Sequence, residues 1–109
     1  MAEQYTSVGG HSTSTTLPTI IFTADTNSVN IINAINLSNT SSSSSAIVSV
    51  TWYDNSEGDD FYIIKNAELP YGSSLQVLDG PIILDEDDEI FIESNSLDVT
   101  VIISLLKIT

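Results

Sequence analysis

The sequence predicts an all-β domain: about eight short antiparallel strands in a β-sandwich or jelly-roll-like arrangement over residues 19–109, preceded by an extended N-terminal arm over residues 1–18. Three observations carry this. Apolar and polar residues alternate with a period of two in Val29–Leu37, Ala46–Tyr53 and Leu97–Thr109, the pattern of half-buried strands. Turn residues interrupt the chain at spacings of about 8–14 residues, typical of sandwiches and small barrels. No capping signal is followed by an apolar period of 3.6 residues, so no helix is expected.

Each element has its own reason. Met1–Pro18 is small, polar and β-tolerant (GGHSTSTT), and Pro18 forbids a helix running through it. Thr19–Ala24 is the first strand, ended by Asp25-Thr26-Asn27. From Val29, the residues Val29, Ile31, Asn33, Ile35 and Leu37 point one way. Asn30, Ile32, Ala34, Asn36 and Ser38 point the other, with amides and hydroxyls making up the wet side. Asn39–Ser45 is a serine-rich loop. Ala46–Tyr53 directs Ala46, Val48, Val50 and Trp52 inward. Asp54–Asp60 is a hairpin loop in which Gly58 supplies a positive φ, and Phe61–Lys65 returns beside it. Trp52 or Tyr53 is thereby set near Phe61 or Tyr62, a cross-strand aromatic pair. The stretch Asn66–Ile92 reads as turn and strand three times over. Turns at Pro70-Tyr71-Gly72, Asp79-Gly80-Pro81 and Asp85–Glu89 separate Ser73–Leu78, Ile82–Leu84 and Ile90–Ile92. Leu97–Thr109 is the clearest strand, with Leu97, Val99, Val101, Ile103 and Leu105 on one side.

At 109 residues the chain is one domain, able to bury roughly 65% of its unfolded surface without staples. It has no cysteine, which excludes disulfides and thiolate metal sites. No apolar run approaches the ~20 residues of a membrane span, and Met1–Gly10 lacks the features of a signal peptide. A soluble protein made in the cytoplasm is expected. Fifteen acids against Lys65 and Lys107 give a net charge of −13, which repels phosphate and argues against nucleic-acid binding. The charge is unevenly placed. From Gln4 to Tyr53 the only charged residue is Asp25, while thirteen acids lie between Asp54 and Asp98.

No enzymatic apparatus is legible. The serines lack a nucleophile elbow, and His11, the sole histidine, stands in a Ser/Thr arm without acid or metal-ligand neighbours. No cofactor is expected. Calcium is the one chemical alternative, because hard oxygen ligands cluster at Asp54, Asp59 and Asp60 and again at Asp85, Asp87 and Asp88. An EF-hand is excluded: counting from Asp54 puts Gly58 one position early and Lys65 where the bidentate glutamate belongs. An irregular loop site is left to set against plain solvated turns. A glycan-binding sandwich, with Trp52, Tyr53, Tyr62 or Tyr71 as its platform, is a second class of function that the aromatics allow.

Tyr62-Ile63-Ile64-Lys65-Asn66-Ala67, then Leu69-Pro70-Tyr71-Gly72-Ser73-Ser74-Leu75-Gln76-Val77-Leu78, then Ile83-Leu84 before an acidic turn and Ser96-Leu97-Asp98-Val99 near the end together resemble a group of small bacteriophage virion proteins. The resemblance spans roughly Thr19–Thr109. Where those proteins often carry Gly-Asp in the late hairpin, this chain has Asp87-Asp88. The resemblance implies a non-enzymatic virion component assembled in the host cytoplasm: a capsid decoration or cement protein, or a neck or tail accessory. Its partners would be copies of itself and other virion proteins such as the major capsid protein. The charge partition suggests how. Copies carrying −13 repel over a Debye length of ~8 Å, so contacts are expected where charge is absent, in the neutral first half. Within the arm, Gln4, Tyr5, His11, Leu17 and Pro18 are the expected partner-binding residues, and removing residues 1–18 is expected to abolish binding with the fold intact.

Overall fold

The computed structural model describes residues 2–109, which form nine strands and no helix. These are β1 (Glu3–His11), β2 (Thr19–Thr23), β3 (Val29–Asn39), β4 (Ala46–Asp54), β5 (Asp59–Leu69), β6 (Ser74–Gln76), β7 (Ile82–Leu84), β8 (Glu89–Ser94) and β9 (Val99–Ile108). They make two antiparallel sheets. The first runs β1-β9-β3-β6, with β7 also paired to β3, and the second runs β2-β8-β4-β5. The chain changes sheet at every connection except the β4–β5 hairpin and the short break between β6 and β7. With that break read as one interrupted strand, the order is that of a jelly roll.

The core lies between the sheets. Ile32, Ile35, Leu37, Val99, Val101, Ile103 and Leu105 of the first sheet meet Ala46, Val48, Val50, Ile90 and Ile92 of the second, all at most 2% exposed. The inward residues expected of β4 and β9 are confirmed, apart from Leu97, which is exposed in the turn before β9, and Trp52, which is half-buried. β3 departs from simple alternation. A bulge between Ile32 and Ala34 shifts its register against β9, so Asn30 and Ile32 point inward before it and Ile35 and Leu37 after it. One extra residue reverses the facing of everything on its far side. Val29 and Ile31, expected inside, therefore face out.

The ninth strand is the arm. The sequence separates residues 1–18 from the domain, but Glu3–His11 pair with β9 at nine successive positions. Val8 packs against the core. Gly10 permits close approach of β2, since a Cβ there would lie 3.1 Å from Ile21 Cδ1. Removing residues 1–18 would thus strip β9 of its ladder, and the truncation does not isolate binding from folding.

The turns confirm their residue choices. Gly58 and Gly72 have φ of 68° and 70°. Asp87 stands at φ 66°, the left-handed region that glycine enters without steric cost. Replacing Asp87 with glycine should raise stability by about 0.5–1 kcal/mol, measured as a higher urea midpoint with an unchanged slope. Trp52 and Phe61 are paired in register, with ring centroids 5.3 Å apart.

Candidate functional site

Charge separates by sheet, a sharper division than the separation along the chain. In the five strands of the first sheet only Glu3 and Lys107 are charged, and both lie at the same end. Lys107 is ion-paired with Asp25. The four strands of the second sheet carry Asp54, Asp59, Asp60, Glu68, Glu89 and Glu93 against Lys65. The neutral layer draws β1 and β3 from the first half of the chain and β6, β7 and β9 from the second. The uncharged β2, and β4 with Asp54 as its only charge, also come from the first half but sit in the acidic sheet instead.

Cross-strand register lays out the outer face of the first sheet in five rows, of which the end row, Glu3, Ile108 and Val29, holds the one charge. Of the other four, Tyr5, Leu106, Ile31 and Ile83 form the first. Tyr5 is 78% and Ile83 59% exposed, with Leu106 and Ile31 half-buried. Ser7, Ser104 and Ala34 form the next, beside the bulged Asn33. Gly9, Ile102, Asn36 and Gln76 form the third, and His11, Thr100, Ser38 and Ser74 the fourth. Gln76 accepts from Ile35 N at 2.9 Å, closing the β3 ladder where β6 ends. The four rows beyond Glu3 measure roughly 20 by 14 Å from strand geometry and carry no charge. They run from apolar at one end to hydroxyl and amide at the other.

The two ends of the sandwich differ as sharply. At one end the β2–β3, β4–β5 and β7–β8 connections are tied together. Ala24 N donates to Asp88 O and Asp87 N to Ala24 O, both at 2.9 Å, and Asn27 N donates to Glu86 Oε2 at 2.8 Å. Asp88 is 1% exposed. Its carboxylate accepts from Asp85 N at 3.0 Å, Asn55 N at 3.0 Å and Trp52 Nε1 at 3.3 Å. Asp25, Asp54, Glu57, Asp59, Asp60 and Asp85–Glu89 all belong to this end. At the other end, Asn39 is buried; its Nδ2 donates to Ser44 O at 2.9 Å and Leu69 O at 3.0 Å. Thr40 N donates to Asp98 O and Gly72 N to Asn39 O, both at 2.9 Å. Those loops are serine- and threonine-rich, and Asp98 is their one charge.

The candidate calcium ligands all lie at the acidic end, in two turns. Asp54, Asp59 and Asp60 lie on one hairpin. Asp54 Oδ1 accepts from Ser56 N at 3.1 Å and Ser56 Oγ at 2.8 Å. Asp85 and Asp87 are exposed, whereas Asp88 is buried and spends its oxygens on three donors. It is a structural anchor and not a solvated turn residue. Among the described residues, no three of His, Asp or Glu gather to hold a metal ion.

Of the arm residues, Gln4, Tyr5 and His11 lie on β1 and are exposed. His11 Nδ1 sits 3.1 Å from Ser12 O. Leu17 and Pro18 belong to the β1–β2 connection. Leu17 lines a shallow depression with Ile47, Ser49, Asn66 and Glu93, on the second-sheet side and away from Tyr5. Sequence reasoning missed Ile31, Ile83, Ile102 and Leu106 as surface residues. The available signal was that the strands at 29–39, 74–76, 82–84 and 99–106 contain no charge.

Of the candidate aromatics, Trp52, Tyr53 and Tyr62 lie on the β4–β5 hairpin, and only Tyr71 is apart from them. Trp52 stacks on Phe61 near the acidic end, Tyr62 lies beneath Lys65 Nζ at 5.0 Å, and Tyr71 is on a loop at the opposite end. No protein-family model, curated protein or solved structure matches this chain.

Proposed function

We propose that the chain is a non-enzymatic structural protein of a bacteriophage particle, acting as a capsid decoration or cement protein that docks through the outer face of its first sheet. The observation that carries this is the uncharged four-row patch of that face, on a molecule of net charge −13. Interface centres are depleted in charge, and this face alone combines exposed Tyr5, Ile83 and Ile102 with neutral neighbours. The acidic end and the acidic second sheet would stay in water and keep decorated particles mutually repulsive. The resemblance supports a virion as the partner. Jelly rolls build both capsid and lectin domains, so the fold by itself does not choose.

Particles lacking the protein, incubated with it and sedimented, should carry it down, and the bound copy number identifies the location. Saturation at many copies over the shell supports decoration. A single ring's worth supports the alternative of a neck or tail accessory. Failure to co-sediment would count against a virion role altogether. The glycan-binding alternative would use Trp52, Tyr53 and Tyr62, which share the β4–β5 hairpin beside Asp54, Asp59 and Asp60, with Tyr71 at the other end; binding on a glycan array would favour it. Adding calcium or chelator should leave the melting temperature within about 1 °C; a rise of several degrees in calcium would revive a loop site.

A further inference from the structure

Two sheets have four edges, and three of them carry the devices that stop strands from pairing with strangers. β2 has five residues and a register shift between Ile20 and Phe22. β5 has two register shifts and the charges of Asp59, Asp60, Lys65 and Glu68. The β6–β7 edge is two three-residue pieces broken by Asp79-Gly80-Pro81. β1 has none of these. It is nine residues long, paired to β9 without a bulge, free of proline and charged only at Glu3.

The open groups of β1 can be identified. Ala2 and Thr109 exchange both backbone hydrogen bonds, at 3.1 and 2.9 Å, and Ser12 N donates to Val99 O at 2.9 Å. With the register continuous between them, Gln4, Thr6, Val8 and Gly10 bond to β9. The N–H and C=O groups of Glu3, Tyr5, Ser7, Gly9 and His11 then point away from it. All five residues are exposed.

We infer that a second copy of this chain pairs antiparallel along this edge, joining two first sheets across a two-fold axis at Ser7. That register uses every open group. It sets Ser7 against Ser7, Tyr5 against the second copy's Gly9, and Glu3 against its His11. Each pairing is complementary. The carboxylate faces an imidazole. The exposed Tyr5 ring lies over a glycine, the cross-strand pairing that protects an edge glycine. Gly9 is not required by its own subunit's packing, since a Cβ there would meet only Val101 O, at 3.9 Å. Electrostatics favour the same arrangement. β1 begins at the acidic end and finishes at the neutral one, so antiparallel pairing sets each acidic end beside a neutral end. The two Glu3 residues would stand roughly 27 Å apart along the strands, well beyond the screening length of ~8 Å. Such an interface is isologous and closes at two copies. The dimer rests on the assembly reading above and deepens it: two uncharged patches become one continuous platform, with each Glu3 set against the second copy's His11.

The experiment is sedimentation velocity of the full chain and of two variants, with circular dichroism on each. The wild type should be dimeric at about 100 μM, where a micromolar dimer is well populated. Ser7→Pro removes an N–H directed away from β9, a position where edge strands accept proline. It should weaken the dimer at least ~10-fold and leave the spectrum of the dilute monomer unchanged. Ser7→Cys should form a disulfide-linked dimer on mild oxidation, because paired Cα atoms ~5.5 Å apart lie within disulfide range. As a register check, a mixture of Tyr5→Cys and Gly9→Cys chains should cross-link heterologously, and neither should do so alone. A monomeric wild type at that concentration, an undiminished Ser7→Pro dimer, or no cross-linking by Ser7→Cys would overturn the inference. A monomer that still binds particles would overturn the dimer alone, whereas a dimer that binds none would remove the virion reading and leave the dimer standing.

Discussion

Replacing Asp88 with alanine should cost about 2–4 kcal/mol of folding stability, the largest loss expected from any acidic residue here. Most of the fifteen acids can be neutralised with little effect, because they are exposed and unpaired with cations. Asp88 differs in being 1% exposed and in joining three segments. It accepts from Asp85 N in its own turn, Asn55 N in the β4–β5 hairpin and Trp52 Nε1 on β4. Alanine leaves all three donors without their partner. Bonds to a charged acceptor are worth about 1.5–3 kcal/mol each, but Asp85 and Asn55 lie at the surface, where water recovers part of the loss. The melting temperature should fall by roughly 8–16 °C, at ~4 °C per kcal/mol for a domain of this size. Asp88→Asn retains one acceptor oxygen and should lie between wild type and alanine. Glu86→Ala, removing an exposed contact to Asn27 N, should fall within about 1 kcal/mol of wild type. If Asp88→Ala melted like Glu86→Ala, the buried carboxylate would not be the tie that holds this end together.

Much of the fold was legible because strands announce themselves twice, in alternation and in turns. β9 shows Val99, Val101, Ile103 and Leu105 at every second position, and Gly58 and Gly72 occupy the positive-φ positions that the turns required. Two features were not legible, for definite reasons. The bulge at Asn33 inverts β3 midway, and a bulge depends on the partner strand's register, which alternation within one strand does not contain. β1 lacks apolar alternation: Val8 is its only aliphatic side chain packed against the core. Its membership of the sheet comes from backbone pairing with β9, which small polar residues permit but do not signal. The site was half legible. Charge was correctly read as lopsided, but along the chain. Folding sorts it by layer, because the chain changes sheet at most connections and so removes β2 and β4 from the neutral half while adding β6, β7 and β9 to it.

Introducing a single carboxylate at the centre of that neutral layer should therefore abolish docking where the same change elsewhere does nothing. Ile102 is the test position. It is 54% exposed and stands on β9 between Gly9 of β1 and Asn36 of β3, with no charged residue in its row or in the rows beside it. Glutamate there is tolerated by the monomer, because the side chain already faces water. In a docked complex it would be dehydrated without a cation opposite, a penalty of several kcal/mol, so particle affinity should fall at least ~100-fold. Ile20→Glu is the control. Ile20 is similarly exposed, at 56%, but lies on β2 at the edge of the acidic sheet, and its variant should bind as the wild type does. Ile102→Gln separates charge from lost apolar contact and should weaken binding by about 10-fold or less. Co-sedimentation with particles across a range of protein concentrations measures all three. Equal losses for Ile102→Glu and Ile20→Glu would mean that added negative charge acts through overall repulsion. Docking would then be controlled by the molecule's total charge and not by the sheet on which the charge falls.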